Sequence, residues 1–292
     1  MRPVPDAYLQ LEQRFAVWSQ AQTAIQAVIV VGSRARAHRP ADEWSDLDLV
    51  AFASDTALYL NEGTWLNVFG QVRAARSHSF GQHDREWLAL YDDGCKLDVA
   101  FLSIDPATPP TLQAMLDAFP YPNVLQRGVR VLIDKTGAPP ELRLPPLDAP
   151  RPPTPAEFAE LFNRMWLDAV KAAKFIRRND LWRAKQVCDG EMKQHLLTVL
   201  EWQAAVQPER CDIWYDGRFL DEWADWQALA ALPQTFAAYQ AEDLQRALFA
   251  TLDLFGQIAK ELAARTRLVY PIEDERYLNQ LVQAILSHRN QI

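Results

Sequence analysis

The sequence predicts an α/β domain followed by an all-α helical bundle. Short apolar and β-branched runs punctuate the first half, whereas apolar residues recur at helical spacing through the second half. Between them, the segment from Pro139 to Pro155 contains eight prolines. Proline disfavours helix and stiffens an extended chain, so we interpret this segment as a connection between domains. We predict domains over residues 1–137 and 156–292, joined by a linker over residues 138–155.

The predicted strands of the first domain are five apolar runs. They are Ala27–Val31, Leu47–Phe52, Trp87–Tyr91, Leu97–Leu102 and Val129–Ile133. Asp93-Gly94 separates the third run from the fourth and is typical of a hairpin turn. These strands alternate with helical segments, and this mixture predicts the α/β class.

The second domain is predicted from apolar stripes with helical spacing. The clearest stripe consists of Phe158, Leu161, Phe162, Met165, Trp166, Ala169 and Ala173. Similar stripes cover Leu181–Trp202, Ala241–Ala264 and Glu273–Leu286. Thr154 and Pro155 supply a cap and a first-turn proline for the first helix.

Composition excludes several classes of protein. The chain has 30 basic and 38 acidic residues and a formal net charge of −8. No run of Lys or Arg stands out, so we expect no nucleic-acid partner, and the acidic balance favours a cationic one. We see neither the apolar core of a signal peptide nor a stretch as long as a membrane helix, and we expect a cytoplasmic protein with no membrane partner. Cys95, Cys188 and Cys211 are far apart and indicate neither a disulfide framework nor a zinc site.

The residues that indicate chemistry begin at the end of the first predicted strand. Gly32 and Ser33 offer backbone N–H groups and a hydroxyl of the kind that hold phosphate oxygens, although Gly-Ser is also ordinary turn chemistry. Further along, strand alternation places Asp46 and Asp48 on one face. Carboxylates this close repel unless a cation lies between them, and a divalent metal meets that need. The alternative is an edge strand with a polar outer face.

A third acid, Asp98, lies inside the fourth predicted strand, between Leu97 and Val99. Such a carboxylate is either a rare buried charge or a site residue that faces the same way as Asp46 and Asp48, and the second interpretation is the more economical. Three carboxylates on adjacent strands could hold two metal ions about 4 Å apart. We therefore predict that Asp46, Asp48 and Asp98 are metal ligands and catalytic residues.

This pattern resembles a known superfamily. Gly32-Ser33, Asp46-x-Asp48 and Asp98 on a later strand are similar to the DNA polymerase beta nucleotidyltransferases. A narrower resemblance, to the aminoglycoside 6-adenylyltransferases that modify streptomycin, extends from about Tyr8 to about Leu286. It is carried by Gly32-Ser33-Arg34, Ser45-Asp46-Leu47-Asp48-Leu49, Trp65-Leu66 with Phe69-Gly70, Lys96-Leu97-Asp98, Leu132-Ile133-Asp134-Lys135, Asp216-Gly217-Arg218-Phe219 and Tyr270-Pro271.

The resemblance implies a nucleotidyltransferase domain with a mixed β-sheet, followed by a helical substrate-binding domain. It implies that Asp46 and Asp48 ligate Mg²⁺ on the phosphates of the co-substrate ATP, and that Asp98 completes the metal site beside the acceptor hydroxyl. Gly32, Ser33 and Arg34 are implied to bind the triphosphate. The implied reaction is an in-line attack on the α-phosphorus with release of pyrophosphate, catalysed by positioning and charge neutralisation.

The predicted helix over Leu181–Trp202 carries two further candidates. Asp189 and Lys193 are four residues apart and share a face. Some antibiotic nucleotidyltransferases carry an acid and a lysine at this spacing, so the resemblance implies Lys193 as a nucleotide-binding residue and Asp189 as a possible general base, after Asp98. The alternative is a solvated helix face, because Lys185, Asp189 and Lys193 form a stripe of alternating charge.

The leading functional hypothesis is transfer of AMP from ATP to a hydroxyl of an aminoglycoside such as streptomycin, with Mg²⁺ as the cofactor. A second hypothesis keeps the transfer and changes the acceptor to a lincosamide, a metabolite or a protein hydroxyl. A third is a catalytically silent nucleotide-binding homologue, which we expect to lack at least one of the three acids. All three acids are present.

Overall fold

The computed structural model describes residues 6–36, 38–79, 85–105, 107, 110–137, 142–147, 150–207 and 213–287. The chain divides into two compact units, Met1–Asp148 and Ala149–Ile292. The division falls inside the proline-rich segment that we propose as the linker. Residues 138–141 and 148–149 of that segment, and Cys211, lie outside the described residues.

A mixed β-sheet forms the centre of the first unit. Its strands are β1 (Ile25–Val31), β2 (Leu47–Ala53), β3 (Val72–Ser79), β4 (Arg85–Tyr91), β5 (Lys96–Ser103) and β6 (Arg130–Asp134). Within the described residues these six strands lie in the order β3-β4-β5-β2-β1-β6. Strands β2 and β5 run parallel, whereas the other neighbouring strands are antiparallel. The mixed sheet agrees with the fold class that the resemblance implies.

Helices cover the two faces of this sheet. They are α1 (Ala7–Ala21), α2 (Ala57–Leu60), α3 (Leu112–Asp117) and α4 (Pro122–Leu125). Leu11 and Phe15 of α1 belong to the same apolar cluster as Leu97 of β5. On the opposite face, Phe52 of β2 is buried with Met115 of α3. The sheet therefore has a core on each side.

The five predicted strands are all present, and the predicted hairpin turn joins β4 to β5. The backbone N–H of Tyr91 donates to the Cys95 carbonyl at 2.9 Å across this turn. Strand β3 is not among the predicted strands. This strand lies at the edge of the sheet, and its side chains beyond Val72 are exposed. An exposed edge strand lacks the apolar pattern by which a strand is recognised.

The described residues of the second unit form helices joined by short connections, with no strand among them. Its helices are α5 (Pro155–Arg177), α6 (Leu181–Gln186), α7 (Met192–Ala205), α8 (Leu220–Trp223), α9 (Trp226–Ala231), α10 (Ala241–Thr266) and α11 (Ile272–Ser287). The predicted start of α5 is confirmed: the Thr154 hydroxyl accepts from the backbone N–H of Glu157, and the Glu157 carboxylate accepts from the backbone N–H of Thr154.

The apolar stripe predicted for α5 is buried. Its members pack into one core with the inner faces of α7 and α10, for example Leu196, Leu248 and Phe255. This burial stabilises the unit, because each large apolar side chain removed from water contributes about 1.5–3 kcal/mol. None of the helices in the described part of the chain combines the length and the apolar composition that a membrane crossing needs.

Candidate active site

The three predicted acids meet on two parallel strands. Asp48 is the second residue of β2 and pairs in register with Asp98 of β5, while Asp46 immediately precedes β2. We call Asp46, Asp48 and Asp98 the acidic cluster. The alternate residues of both strands are buried in the core on the α1 side of the sheet: Leu47, Leu49, Leu97 and Val99. That burial turns Asp48 and Asp98 to the opposite face.

Lys96 lies between two of these acids, and the sequence analysis gave it no role. Its Nζ atom donates to Asp46 Oδ2 at 2.6 Å and to Asp98 Oδ2 at 2.8 Å. Burial by itself lowers the pKa of Lys96, but the hydrogen bonds to Asp46 and Asp98 outweigh it and raise the pKa above its usual range. The lysine is therefore held in its charged form. The sequence did offer one indication of this role. Lys96 lies two residues before Asp98 in the same strand, and residues at that spacing share a face of the sheet.

Burial and mutual repulsion shift the pKa values of the acids. The pKa of Asp48 rises to about 6, first because the carboxyl group is buried and then because Asp98 and Asp46 are close. Burial also raises the pKa of Asp98, against the hydrogen bond from Lys96. Asp98 Oδ1 is buried and has no hydrogen-bond partner among the described residues. One lysine thus faces three acids, and one buried carboxylate oxygen lacks a hydrogen-bond partner among the described residues.

Gly32 brings the backbone against the acidic cluster. It begins a 3₁₀ turn directly after Val31, which pairs with Asp48 in the sheet. Its φ angle is 66°, a left-handed conformation that favours glycine. A Cβ atom at this position would lie 2.3 Å from Asp48 Oδ2. The predicted phosphate-binding turn is therefore adjacent to the acidic cluster, and the next residue, Ser33, is buried.

Arg34 holds the loop that carries Asp46. Its Nε donates to the Asp46 carbonyl at 3.1 Å, and its Nη2 donates to the Ser45 carbonyl at 2.7 Å. The guanidinium lies 3.7 Å from the centroid of the Tyr8 ring. The Tyr8 hydroxyl accepts from the backbone N–H of Lys96 at 3.1 Å. Arg34 and Tyr8 therefore position the residues of the cluster, a role that the sequence analysis did not identify.

The chemistry of the acidic cluster fits a divalent cation. Carboxylate oxygens are the ligands that hard cations prefer. Asp98 Oδ1 has no hydrogen-bond partner among the described residues, and burial, followed by the charges of Asp98 and Asp46, raises the pKa of Asp48. No group of three His, Cys, Asp or Glu side chains in the described residues is already arranged to hold a metal. Two of the three carboxylates are instead turned to the ammonium group of Lys96.

In the second unit, Asp189 lies in a π-helical turn. This turn, Val187–Glu191, joins α6 to α7, so the predicted helix is continuous but contains one wider turn. Lys185 donates to Asp189 Oδ2 and to the carbonyl of Ala237. Asp189 Oδ1 is buried and has no hydrogen-bond partner among the described residues. Wider turns of this kind are frequent at functional sites, and helical periodicity did not predict this one.

Lys193 follows the same turn and points into the protein. Its Nζ donates to the Cys188 carbonyl at 2.7 Å and to Thr251 Oγ1 of α10 at 2.9 Å. Burial lowers the pKa of Lys193 to about 8. These contacts disagree with the alternative of a solvated charge stripe. The nucleotide-binding role of Lys193 and the general-base role of Asp189 remain predictions.

Comparison with known proteins defines the class of this chain. The family profile described as streptomycin adenylyltransferase matches residues 10–285. The chain therefore belongs to this family, and that membership indicates an adenylyltransferase. The matched range agrees with the extent of the resemblance seen in the sequence.

Individual relatives carry a more specific name. The aminoglycoside 6-adenylyltransferase of Bacillus subtilis (strain 168) is 24% identical over 262 residues, which cover 86% of this chain and 88% of the relative. The aminoglycoside 6-adenylyltransferase of Campylobacter jejuni is 20% identical over 271 residues, 89% of each chain. The crystal structure of an aminoglycoside 6-adenyltransferase from Bacillus subtilis matches 96% of this chain and 97% of its own, at 18% identity and a TM-score of 0.44.

Proposed function

We propose that this protein transfers AMP from ATP to a hydroxyl group of an aminoglycoside and releases pyrophosphate. The observation that carries the proposal is the convergence of the acidic cluster beside the Gly32 turn, in a chain of the streptomycin adenylyltransferase family. Streptomycin is the first acceptor to test, because the family description and the names of the relatives both support an aminoglycoside. We assign the first unit as a nucleotidyltransferase domain of the DNA polymerase beta type and the second as the substrate-binding domain.

We propose that the acidic cluster holds Mg²⁺ through Asp46, Asp48 and Asp98, and that two ions bind there. When bound there, Mg²⁺ supplies charge neutralisation for the phosphates and makes the acceptor hydroxyl more acidic. Asp98 is proposed as the general base and takes the hydroxyl proton on its unpartnered Oδ1. The acceptor oxygen then bonds to the α-phosphorus, the bond from that phosphorus to the bridging oxygen breaks, and pyrophosphate leaves. The raised pKa of Asp98 suits this role, because the group accepts a proton nearer neutral pH.

Backbone groups are proposed to hold the phosphates. The turn Gly32–Arg34 lies next to Asp48, and we propose that its backbone N–H groups donate to the phosphates, because preorganised donors stabilise phosphate charge without rearrangement. Arg34 uses two donors on backbone carbonyls, so we propose that it supports the turn and contacts the triphosphate through its remaining N–H groups. Lys193 stays a proposed nucleotide contact, and Asp189 is the second candidate for the base.

Glu86 supports a cationic acceptor. In the antiparallel ladder Glu86 pairs with Ala100 and Leu88 pairs with Asp98, so Glu86 lies on the face of the sheet that carries the acidic cluster. Its charge contributes to the raised pKa of Asp48, after burial and the two other acids. Its carboxylate lies 3.5 Å from His78 Nδ1 and its side chain is 32% exposed. We propose that this partly exposed carboxylate attracts an ammonium or guanidinium group of the acceptor.

The test is pyrophosphate release with ATP and Mg²⁺ across a panel of aminoglycosides, with lincosamides as a second class of acceptor. Asp48→Asn and Asp98→Asn remove the charge of one carboxylate each and change its size little. Asp253→Asn is the matched control, because Asp253 is an exposed aspartate on α10. We expect streptomycin-dependent release in the wild type and in the control, and a loss of roughly 1,000-fold or more in both site variants.

Three outcomes would contradict the proposal. Release that is unchanged in Asp48→Asn would remove the acidic cluster from the reaction. Release with lincosamides and none with any aminoglycoside would keep the transfer and replace the acceptor. A catalytically silent homologue would bind ATP and release no pyrophosphate with any acceptor.

A further inference from the structure

The ammonium group of Lys96 occupies the space between two carboxylates of the acidic cluster. The distances from Nζ are 2.6 Å to Asp46 Oδ2 and 2.8 Å to Asp98 Oδ2. The cluster is built from the ends of two strands, and Lys96 joins them because it shares a strand with Asp98 while Asp46 precedes β2. Without a positive charge at this point, the acids would repel each other across the ladder.

A lysine and a divalent cation at this position would compete. Both would use the carboxylates of Asp46 and Asp98, whose Oδ2 atoms accept from the ammonium, and a metal ion next to the ammonium would also be repelled by it. The competition is unequal, because one ammonium charge faces three acids, and Asp98 Oδ1 has no partner among the described residues. The side chain of Lys96 is 35% exposed, so the ammonium has a path away from the carboxylates.

We infer that Lys96 is an internal counter-ion that keeps the acidic cluster assembled in the metal-free protein and lowers its affinity for free metal. The inference rests on the proposed metal role of the cluster and adds a positioning residue to it. The inference predicts an order of binding. The protein binds free metal weakly, whereas the cluster readily accepts metal that is already bound to the phosphates of the nucleotide. Lys96 is exchanged out of the cluster in that event and does not take part in bond making.

The direct measurement is the affinity for Mn²⁺ in the absence of nucleotide. Calorimetry and the electron paramagnetic resonance signal of the free ion both report this binding. Lys96→Met removes the charge and keeps an apolar stem, whereas Lys96→Arg keeps a cation that can pair with both carboxylates. Lys260→Met is the matched control, because Lys260 pairs with Glu275 in the second unit. We expect Lys96→Met to bind Mn²⁺ roughly tenfold or more tightly than wild type, and both other variants to stay close to wild type.

Thermal unfolding gives a second readout that a merely structural lysine would not produce. In EDTA we expect Lys96→Met to melt below wild type, because the carboxylates lose their counter-ion. Saturating Mn²⁺ should remove this difference, since the metal replaces the lost charge. Lys260→Met should lose the same stability with and without metal. Should Lys96→Met fail to fold, Lys96→Gln, which keeps one donor for a carboxylate, is measured in its place.

The outcomes separate this inference from the proposed function. In one outcome, Asp48→Asn weakens Mn²⁺ binding, but Lys96→Met binds Mn²⁺ no more tightly than wild type. This result overturns the counter-ion role of Lys96 and keeps the metal site. Absence of Mn²⁺ binding in wild type and in every Lys96 variant overturns both. Tighter binding in Lys96→Met that is lost again in the double variant with Asp48→Asn is the supporting result.

Discussion

At Gly32, the backbone and the Asp48 carboxylate are in contact, so this glycine offers a sharp test of the site. In Gly32→Ala, the added Cβ would meet Asp48 Oδ2 at 2.3 Å, and the residue would also have to keep a φ of 66°. We expect the carboxylate to move and kcat/KM for adenylyl transfer to fall roughly 100-fold, because small misplacements at a reacting centre are that costly. Steady-state kinetics with the acceptor found in the panel checks this.

Gly137→Ala is the control for the backbone contribution. Gly137 has a φ of 70°, but no atom lies within 4 Å of a Cβ placed on it. Both variants should lose about 1–2 kcal/mol of unfolding free energy from the left-handed backbone, and only Gly32→Ala should lose activity. Equal activity in the two variants would show that the contact with Asp48 has no role in the reaction.

The raised pKa of Asp48 predicts a pH-dependent gain in stability when its charge is removed. Its pKa is about 6 in the folded protein, against about 3.9 in an unfolded chain. Between these values the folded state binds more protons than the unfolded state, so the free energy of unfolding falls as the pH rises and stays lower above the window. We expect metal-free Asp48→Asn to exceed wild type by roughly 1–3 kcal/mol at pH 8 and to match it near pH 4.

Urea unfolding in EDTA at both pH values measures this difference, with Asp253→Asn as the exposed control. A stability difference that is the same at both pH values would mean that the substitution acts through packing or hydrogen bonding. The charge of the buried carboxylate would then not be its cause.

At the scale of elements, the π-helical turn between α6 and α7 predicts a deletion that the fold should tolerate. A π-helical turn corresponds to one additional residue in an α-helix, so deletion of Gly190 should leave α6 and α7 in register and convert Val187–Glu191 to regular helix. Asp189 and Lys193 would then change position relative to each other. We expect cooperative unfolding and helix content to persist while adenylyl transfer falls roughly 10-fold or more.

Gly190→Ala keeps the chain length and has open space around the new Cβ, so it should retain activity. Circular dichroism and pyrophosphate release measure the two effects separately. Full activity in the deletion variant would exclude a functional role of the wider turn and would weaken the case for Asp189 and Lys193 together.

The elements differ in how much of them the sequence could predict. The shared face of Asp46 and Asp48 follows from a period of two within one short segment, so it is visible locally. The bridge from Lys96 to Asp46 spans 50 residues of sequence and exists only because β2 and β5 pair in parallel. Strand β3 is exposed and has no apolar pattern, and the π-helical turn adds one residue without disturbing the stripes on either side of it. Residue patterns are local, so they do not predict contacts between distant segments. They also do not show changes smaller than one helical turn.

At the scale of the whole molecule, residue patterns predict the fold of the second unit more completely than that of the first. In the second unit, repeated apolar stripes largely determine a helical core, and that core contains the stripe predicted for α5. In the first unit, the order of strands depends on pairings between distant segments. Residue patterns did not predict that order, and the family resemblance implied only a mixed sheet. The positions of the acids could therefore be predicted more readily than their neighbours Lys96, Arg34 and Tyr8, whose roles come from tertiary contacts.

The net charge of −8 predicts that salt weakens binding of a cationic acceptor. Charges on an acidic protein attract a cation over about one Debye length, which shrinks as salt increases. We expect KM for the aminoglycoside to rise severalfold between about 20 and about 200 mM salt, with little change in kcat.

Glu86→Gln and Glu273→Gln separate the local from the general effect, because both remove one negative charge and Glu273 is exposed on α11. If Glu86 contacts the acceptor, its variant should raise KM severalfold and reduce the salt dependence, whereas Glu273→Gln should change neither by much. Equal changes of KM in the two variants would mean that the net charge of the whole molecule attracts the acceptor. Glu86 would then have no specific role in the acceptor site. A KM that does not depend on salt would contradict a cationic acceptor itself.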